Sequence, residues 1–402
     1  MIRSRQTPQS VFDRATALLL DLVNISSPSG DVEGLDAACS RLGEALRNVG
    51  WTATVRRETD DAGHALPVLE AFLGDAPTGG GLLAIGHLDT VLDAAEPDTR
   101  DGRLWATGSV DMKAGLVAFV AALELVAERG AAPPADLRLV VVPDEEVAGA
   151  VSHAAMRRAG DARGLWCLEP GSRRGEAETI VLGRRGMVHY ALDVEGRSAH
   201  AGNGYWDGRS ALAAAAEWCV GAQNLARRDG PTVSVARLVA GEADFVERLA
   251  ECADLLGSSR QINVVPDRAR AEGEARFLNP ADGRALREAM ERLRQELAAR
   301  HQVTMQLVFD HGVAPLDPQP ASRRWAELAI TAAAARGWSL EAEEERAGIS
   351  FPNFLPDPSV MPILDGLGPT GGGMHTRDEF VDLDSFDRRI TLLADLMERL
   401  EA

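Results

Sequence analysis

Histidine and acidic side chains in this sequence stand directly after short apolar runs or inside glycine-rich turns. The members of this set are His87, Asp89, Asp111, Glu145, Glu146, Glu169 and His375. Imidazole nitrogens and carboxylate oxygens are the ligands that zinc and several related divalent ions take in proteins. Five of these residues are the candidate ligands: His87, Asp111, Glu146, Glu169 and His375. Two histidines and three carboxylates are too many for one tetrahedral ion, so these five predict two divalent ions that share a bridging carboxylate.

The members of the set have different expected roles. Asp111 stands between the glycines at 108 and 115 and has no acidic neighbour, so it is the predicted bridge. Asp89 is two residues from His87 on an extended segment, which puts both side chains on one side and lets the carboxylate orient the imidazole. Glu146 is a predicted ligand, whereas its neighbour Glu145 is left free of metal to transfer protons.

Taken singly, these residues also fit ordinary structural roles. Asp111 precedes an apolar run that predicts a helix, and an acid at that position favours the helix dipole. The pair Glu145–Glu146 fits a solvated loop, and the pair His87–Asp89 alone is a weak signal. Together, however, they follow strands of one predicted sheet, and ligands in open α/β sheets gather at the carboxyl ends of the strands. The group as a whole therefore favours a metal centre.

Short apolar and β-branched runs predict the strands that position these turns. The expected strands are residues 51–57, 68–73, 81–86, 104–107, 137–142 and 165–168, and the expected helices are residues 12–24, 33–49 and 116–129. Strands that alternate with helices predict an α/β fold with a mostly parallel sheet and helices on both of its faces.

A change of pattern from residue 187 predicts an inserted second domain. Residues 187–195 alternate between apolar and polar side chains, as half-exposed antiparallel strands do. The further expected elements are a helix at 209–226, strands at 232–239, 261–265 and 270–278, and helices at 282–299, 321–336 and 384–400. The predicted boundaries are 1–186 and 313–402 for the catalytic α/β domain and 187–312 for an α+β insert.

The composition argues against several classes of protein. The formal net charge of −19 over 402 residues disfavours binding to nucleic acid or to an anionic membrane. No segment approaches the ~18 apolar residues of a membrane span. The four cysteines have no CxxC spacing and fit a reducing compartment. The apolar N-terminal segment is interrupted by Asp21 and has no signal-peptide cleavage pattern, so we expect a cytoplasmic protein.

The sequence resembles the M20 family of metallopeptidases over essentially its whole length. The motifs that carry the resemblance are GHLDTV (86–91), GSVDMKAG (108–115), PDEEVAG (143–149), LEP (168–170), GRSAHAGNGYWDGRSAL (196–212), INVVP (262–266) and GGGMHTRDE (371–379). Their number and order make the resemblance specific. The nearest branches are the glutamate carboxypeptidases and the acetylornithine/succinyl-diaminopimelate deacylases.

The resemblance implies how the ligands are divided between two zinc ions: His87 and Glu169 hold one, Glu146 and His375 hold the other, and Asp111 bridges them. Cobalt and manganese are alternatives to zinc, because carboxylate and imidazole ligands admit several such ions. The resemblance also implies that Asp89 orients His87 and that Glu145 is the general base.

For the insert, the resemblance implies a lid or dimerisation domain and therefore a homodimer. His200 would reach across the dimer to the substrate carbonyl oxygen in the partner's site. Asn263 and Arg276 match lid positions that contact the carboxylate of a substrate in the carboxypeptidase-like members. An ordinary strand-end histidine and a solvated strand arginine are the alternatives for His200 and Arg276.

The predicted function is cleavage of an amide bond that releases an amino acid from a small peptide or an N-acyl amino acid. The alternative hydrolase is a deacylase of N-acetyl or N-succinyl diamino acids. Two segments depart from the family pattern. Phe351 and Pro352 interrupt the loop 348–353, where an aspartate is usual, and Glu274 replaces a frequent aspartate. Alternatives of another class are a non-hydrolytic acyl-transfer or amide-forming enzyme and an inactive metal-binding paralogue.

Overall fold

The computed structural model describes residues 5–74, 80–251 and 265–400. The chain forms two compact units. The first unit comprises Met1–Arg184 and Leu316–Ala402, and the second comprises Arg185–Pro315. None of the helices within the described residues is long and apolar enough to cross a membrane.

The elements are numbered in chain order. The first segment contains helices α1 (Gln9–Val23), α2 (Val32–Asn48), α3 (Ala114–Glu128) and α4 (Ala150–Arg158), and strands β1 (Thr52–Thr59), β2 (Ala65–Phe72), β3 (Leu82–His87), β4 (Asp98–Arg100), β5 (Arg103–Trp105), β6 (Arg138–Val142), β7 (Gly164–Cys167), β8 (Arg173–Arg174) and β9 (Ala177–Val181). The second unit contains α5 (Ala211–Gln223), α6 (Ala243–Glu251), α7 (Pro280–His301), β10 (Gly186–Glu195), β11 (Thr232–Gly241), β12 (Arg268–Phe277) and β13 (Thr304–Val313). The last segment contains α8 (Pro320–Ala335), α9 (Leu383–Arg399), β14 (Leu340–Glu343), β15 (Ile363–Leu364), β16 (Gly371–Gly372) and β17 (Phe380–Asp382).

The central sheet of the first unit has the strand order β1-β2-β6-β3-β7-β15. Strands β6, β3, β7 and β15 are parallel, and the β1–β2 hairpin joins antiparallel at the β6 edge. Every residue of β3 is buried, as expected for a parallel strand covered on both faces. The predicted α/β class is confirmed, and the antiparallel hairpin at one edge makes the sheet mixed.

Helix α3 lies at the centre of the first unit because its residues 114–123 are apolar on all sides. Its residues from Ala114 to Leu123 are all buried, and it packs mainly against α9 and α1. At Gly86 a Cβ atom would lie 2.7 Å from Met112 Cε and 2.8 Å from Leu116 Cδ2, so glycine allows this close approach between β3 and the start of α3.

Two smaller sheets complete the first unit. Strands β14, β9 and β8 form one, in which β14 and β9 are parallel. Strands β16, β17, β5 and β4 form the other, which is antiparallel. The predicted strand 104–107 corresponds to β5, which ends at Trp105 and leads into an irregular turn at Ser109–Lys113.

The second unit is an antiparallel sheet, ordered β11-β12-β10-β13, with α5 and α7 in its core. Alternate residues of β10 (Val188, Tyr190, Leu192 and Val194) are buried against these helices, as the alternating pattern predicts. Helix α6 and strand β13 were not expected from the sequence. The expected strand at 261–265 falls outside the described residues except for Val265, which is not in a strand.

Candidate metal centre and active site

Acidic and histidine residues lie at the carboxyl ends of the parallel strands of the central sheet. His87 is the last residue of β3, Glu145 and Glu146 follow β6, and Glu169 follows β7. The irregular turn that follows β5 carries Asp111, and the peptide bond between Asp111 and Met112 is cis. The loop between β16 and β17 carries His375, whose φ of 63° lies in the left-handed region.

The two carboxylate oxygens of Asp111 face two different histidines. Asp111 Oδ1 lies 3.3 Å from His87 Nε2, and Asp111 Oδ2 lies 3.4 Å from His375 Nε2. Each histidine has a glutamate of its own: Glu169 Oε1 is 3.7 Å from His87 Nε2, and Glu146 Oε2 is 3.0 Å from His375 Nε2. The structure thus brings the five predicted ligands together, with Asp111 between two histidine–glutamate pairs.

Two buried atoms of this cluster have no hydrogen-bond partner, His87 Nε2 and Glu169 Oε1. A buried polar atom without a partner costs about 1–3 kcal/mol, so such atoms call for a ligand. Two groups offer ligand atoms within 4.8 Å of one another: His87 with Glu145 and Glu169, and His87 with Asp111 and Glu146. The donor set therefore fits divalent cations, and Glu145 is also near enough to compete as a ligand.

Asp89 is a hydrogen-bond centre behind His87. His87 Nδ1 lies 2.9 Å from the carbonyl oxygen of Asp89 and 3.3 Å from its carboxylate Oδ1. A proton on Nδ1 leaves the lone pair of Nε2 directed at Asp111, the form of imidazole that binds a metal. The carboxylate of Asp89 also accepts hydrogen bonds from the backbone N–H groups of Glu145 and Glu146 (both 3.1 Å). Asp89 therefore positions three residues of the site.

The hydroxyl of Ser29 donates a further hydrogen bond of 2.7 Å to Asp89 Oδ2. Ser29 lies in the turn between α1 and α2, where Pro28 pairs with Thr90. Sequence reasoning gave this turn no functional role. The only signal was the Ser-Pro-Ser-Gly run itself, which predicts a turn but not its contact with Asp89.

Crowding of acids shifts the pKa values in the centre. Burial, followed by the charge of Glu169, raises the pKa of Glu145 well above its ordinary value. Burial and Asp111 likewise raise the pKa of Glu169, and burial raises that of Glu146. Burial acts in the same direction on Asp111, but the neighbouring imidazoles of His375 and His87 outweigh it and lower its pKa. Strongly perturbed groups that converge in this way are typical of functional sites.

An apolar segment lies beside the centre at the atypical loop 348–353. Residues Phe351–Phe354 form a short buried helix. The ring centroid of Phe351 is 6.2 Å from that of His87, and the ring centroid of Phe354 is 4.4 Å from that of His153 on α4. The ring of Phe351 therefore lies close to His87, a candidate metal ligand. Phe351 belongs to the loop where the resemblance to the family predicts an aspartate.

The remaining predicted site residues belong to the second unit. His200 is exposed, and its Nδ1 accepts hydrogen bonds from the N–H groups of Gly202 (3.1 Å) and Asn203 (3.2 Å). In the neutral ring the proton then sits on Nε2, which is left as an available donor. Arg276 Nε donates to Glu274 Oε1 at 2.9 Å, so its guanidinium is already paired within the sheet. Asn263 falls outside the described residues.

Comparison with known proteins supports the resemblance. The model of peptidase family M20/M25/M40 matches residues 83–399. Carboxypeptidase G2 of Pseudomonas sp. (strain RS-16) is 24% identical over 390 residues, which cover 95% of this chain and 88% of that protein. The succinyl-diaminopimelate desuccinylase of Delftia acidovorans is 26% identical over 382 residues, which cover 89% of this chain and 91% of that protein.

Solved structures share the fold. Aminopeptidase PepT from Bacillus cereus superimposes with a TM-score of 0.74 at 19% identity, covering 96% of this chain and 98% of that one. The Bacillus subtilis YXEP protein, described as a dinuclear metal-binding peptidase, gives a TM-score of 0.67 at 16% identity over 97% and 98% of the two chains. With most of the chain matched by the family model, the protein belongs to peptidase family M20/M25/M40 and is a metal-dependent hydrolase of that family.

Proposed function

We propose that the protein is a two-metal hydrolase that cleaves an amide bond to release an amino acid from a small peptide or an N-acyl amino acid. The observation that carries the proposal is the placement of Asp111. Its two oxygens face different histidines, at 3.3 and 3.4 Å, and each histidine has a separate glutamate. One carboxylate shared between two such pairs is the arrangement that two neighbouring cations need.

In this proposal His87 and Glu169 hold one ion, Glu146 and His375 hold the other, and Asp111 binds both. Zinc is the proposed ion, with cobalt and manganese as alternatives that the same ligand types accept. When bound, such ions polarise a carbonyl group and lower the pKa of water.

The proposed proton carrier is Glu145. Its backbone N–H is held by Asp89, and burial with the surrounding acids raises the pKa of its carboxyl group. A raised pKa suits a carboxylate that takes a proton from the attacking water and later gives one to the leaving nitrogen. His200 Nε2–H would donate to the oxyanion that forms at the substrate carbonyl, an interaction worth about 3–4 kcal/mol in the transition state.

We also propose that the inserted domain, expected at 187–312, acts as a lid and dimerisation domain. In a homodimer, His200 would serve the active site of the partner subunit. Arg276 and Asn263 would hold the carboxylate of the substrate, and Glu274 would release Arg276 when that carboxylate arrives. We propose a cytoplasmic location, supported by the cysteine pattern of the sequence and by the bacterial desuccinylases among the relatives.

A second candidate is removal of an N-succinyl or N-acetyl group from a diamino acid. The supporting observation is that relatives named succinyl-diaminopimelate desuccinylase match 89–95% of this chain at 26–27% identity. The peptidase and deacylase reactions both break an amide bond. In both reactions the released amine is an amino acid with a carboxylate, so the substrates differ in the acyl group and in the second amino group of the diamino acid.

A substrate panel tests both candidates. Protein stripped with a chelator and reloaded with zinc, cobalt or manganese is offered dipeptides, acyl-glutamates, N-acetylornithine and N-succinyl-diaminopimelate, and released amine is measured. We expect the protein to hydrolyse one of these four classes of substrate. That activity should disappear when the metal is removed by the chelator and return when the ion is added back. Absence of metal-restored hydrolysis across all four groups would contradict the proposal.

A further inference from the structure

A buried carboxylate, Glu379, fixes the backbone of the turn that carries Asp111. Glu379 is only 4% exposed. Its Oε1 accepts hydrogen bonds from the backbone N–H groups of Val110 and Asp111 (both 3.0 Å), and its Oε2 accepts one from Gly108 (2.8 Å). The backbone carbonyl of Glu379 accepts a fourth hydrogen bond, from the N–H of Ala106 at 3.1 Å. Glu379 therefore accepts hydrogen bonds from four of the six backbone N–H groups of residues 106–111.

The Asp111 turn needs acceptors from outside itself. Asp111 (φ −116°) and Met112 (φ −132°) do not have helical backbone angles, and Gly108 (φ 70°) is left-handed. A regular helical ladder therefore cannot satisfy the N–H groups of this turn, although buried N–H groups require acceptors. A carboxylate is a strong acceptor for them, because a charged group strengthens each hydrogen bond.

Glu379 also belongs to the hairpin that carries His375. The hairpin pairs β16 with β17, His375 lies in the connecting loop, and Glu379 directly precedes β17. The loop has little room to adjust, because a Cβ atom at Gly373 would meet the carbonyl oxygen of Asp378 at 2.1 Å. The backbone of Glu379 is thus tied to the His375 loop, and its side chain is tied to the Asp111 turn.

We propose that Glu379 is a positioning residue that holds the carboxylate of Asp111 in register with His375. The inference rests on the proposed function, because the geometry that Glu379 sets is that of the two-metal site. Its Oε1 accepts two backbone N–H groups and its Oε2 accepts one, so in this proposal the carboxylate acts on the Asp111 turn and is not counted among the five ligands. It joins the ligand loop at Asp111 to the one at His375, two segments that are far apart in sequence.

The test is zinc binding by the variant Glu379→Gln, measured on the full-length, chelator-stripped protein by competition with a chromophoric chelator. In glutamine one carboxylate oxygen becomes an NH2 group, which would face a backbone N–H, donor against donor. The turn must then shift. We expect the Kd for zinc to rise by about 10–100-fold at both sites, because Asp111 is shared between them. Glu379→Asp keeps both oxygens and should recover part of the affinity.

Asp387→Asn is the matched control. Asp387 is also a buried carboxylate that accepts backbone N–H groups, those of Gln6 (2.7 Å) and Thr7 (2.9 Å), but it lies on α9 away from the ligand loops. We expect the control to lower the melting temperature without changing the Kd for zinc.

Three results would overturn the inference. The first is a Kd for zinc in Glu379→Gln equal to that of the wild-type protein. The second is a loss of zinc affinity in Asp387→Asn as large as that in Glu379→Gln. The third is failure of both Glu379 variants to fold while the control folds. Failure of the wild-type protein to bind two zinc ions would instead contradict the proposed function. The two failures are therefore distinguishable in one set of titrations.

Discussion

At the scale of single residues, the proposed roles of Glu145 and Glu146 differ although the two are neighbours. Replacing Glu145 with glutamine should leave both ions bound and lower kcat by about 10²–10⁴-fold, because proton transfer is lost while the ligands remain. Glu146→Gln should instead weaken binding of one ion. Zinc content per chain and kcat, measured on the same samples, check both. Loss of zinc from Glu145→Gln would show that Glu145 is a ligand, as its proximity to His87 and Glu169 allows.

The shared carboxylate gives a second prediction at this scale. Asp111→Ala should lose both ions together, because both proposed ligand pairs use its oxygens. Glu169→Ala and His375→Ala should each weaken mainly one ion. Equilibrium dialysis with zinc measures the ions bound per chain for each variant, and Asp98→Ala, an exposed acid on β4, is the control. If Asp111→Ala kept one tightly bound ion, Asp111 would not be the bridge.

At the scale of elements, α9 is joined to β9 by a buried ion cluster. The carboxylate of Glu178 on β9 accepts hydrogen bonds from three side chains of α9: Arg388 Nε (2.7 Å), Arg389 Nε (3.0 Å) and the hydroxyl of Ser385 (2.9 Å). Burial by itself would raise the pKa of Glu178, but the two arginines and the hydroxyl outweigh it and lower that pKa from its ordinary value. The cluster therefore joins α9 to the sheet formed by β14, β9 and β8.

The lowered pKa has a defined consequence for stability. The folded protein holds the proton of Glu178 less tightly than the unfolded chain does, so ionised Glu178 stabilises the fold. This stabilisation is complete above the pKa that Glu178 has in the unfolded chain. It is lost as the pH falls through the lower pKa that Glu178 has in the folded protein. At pH 7, Glu178→Gln should lower the free energy of unfolding by about 3 kcal/mol, since it leaves buried arginine charge unpaired.

Denaturant unfolding of both proteins in the presence of a chelator measures this difference from pH 7 down to pH 3. We expect the difference in unfolding free energy between wild type and Glu178→Gln to narrow once the pH falls below the ordinary glutamate pKa of about 4.3. Glu341→Gln, an exposed glutamate on β14 next to β9, serves as the control and should change little. A gap that stayed constant over the whole range would show that the charge of Glu178 is not what stabilises the cluster.

The elements that could be predicted from the sequence are those with a strong local pattern. The apolar runs of β3, β6 and β7 predicted the central sheet, the apolar run at the start of α3 predicted that helix, and the turns beside them predicted most of the candidate ligands. Helices α4 and α6 and strand β13 were missed, and so were the shorter strands β4, β8, β9 and β14–β17. Ser29 and Glu379 were also missed, because each acts through hydrogen bonds to segments 60 or more positions away. Local patterns identify residue types that can bind a metal, whereas the groups that orient them depend on long-range packing.

At the scale of the whole molecule, the second unit begins and ends at adjacent points of the first. Arg184 and Leu316 exchange backbone hydrogen bonds, Arg184 N to Leu316 O at 3.0 Å and Leu316 N to Arg184 O at 2.9 Å. The side chain of Arg184 is buried, pairs with Asp365 and donates to the carbonyl of Gly348 (3.0 Å). The points where the chain leaves and re-enters the first unit are thus fixed to each other and to the atypical loop.

The last prediction concerns assembly. If His200 completes the active site of the partner subunit, then Glu145→Gln and His200→Ala are each nearly inactive alone but complement each other in a mixed dimer. One site of that dimer contains an intact Glu145 from one chain and an intact His200 from the other. Random exchange makes half of the dimers mixed, so the mixture should regain about a quarter of wild-type activity. Light scattering first establishes the dimer, and tagged subunits confirm exchange. A mixed dimer as inactive as its parents would place His200 in the active site of its own chain, whereas a fully active His200→Ala variant would place His200 outside the reaction.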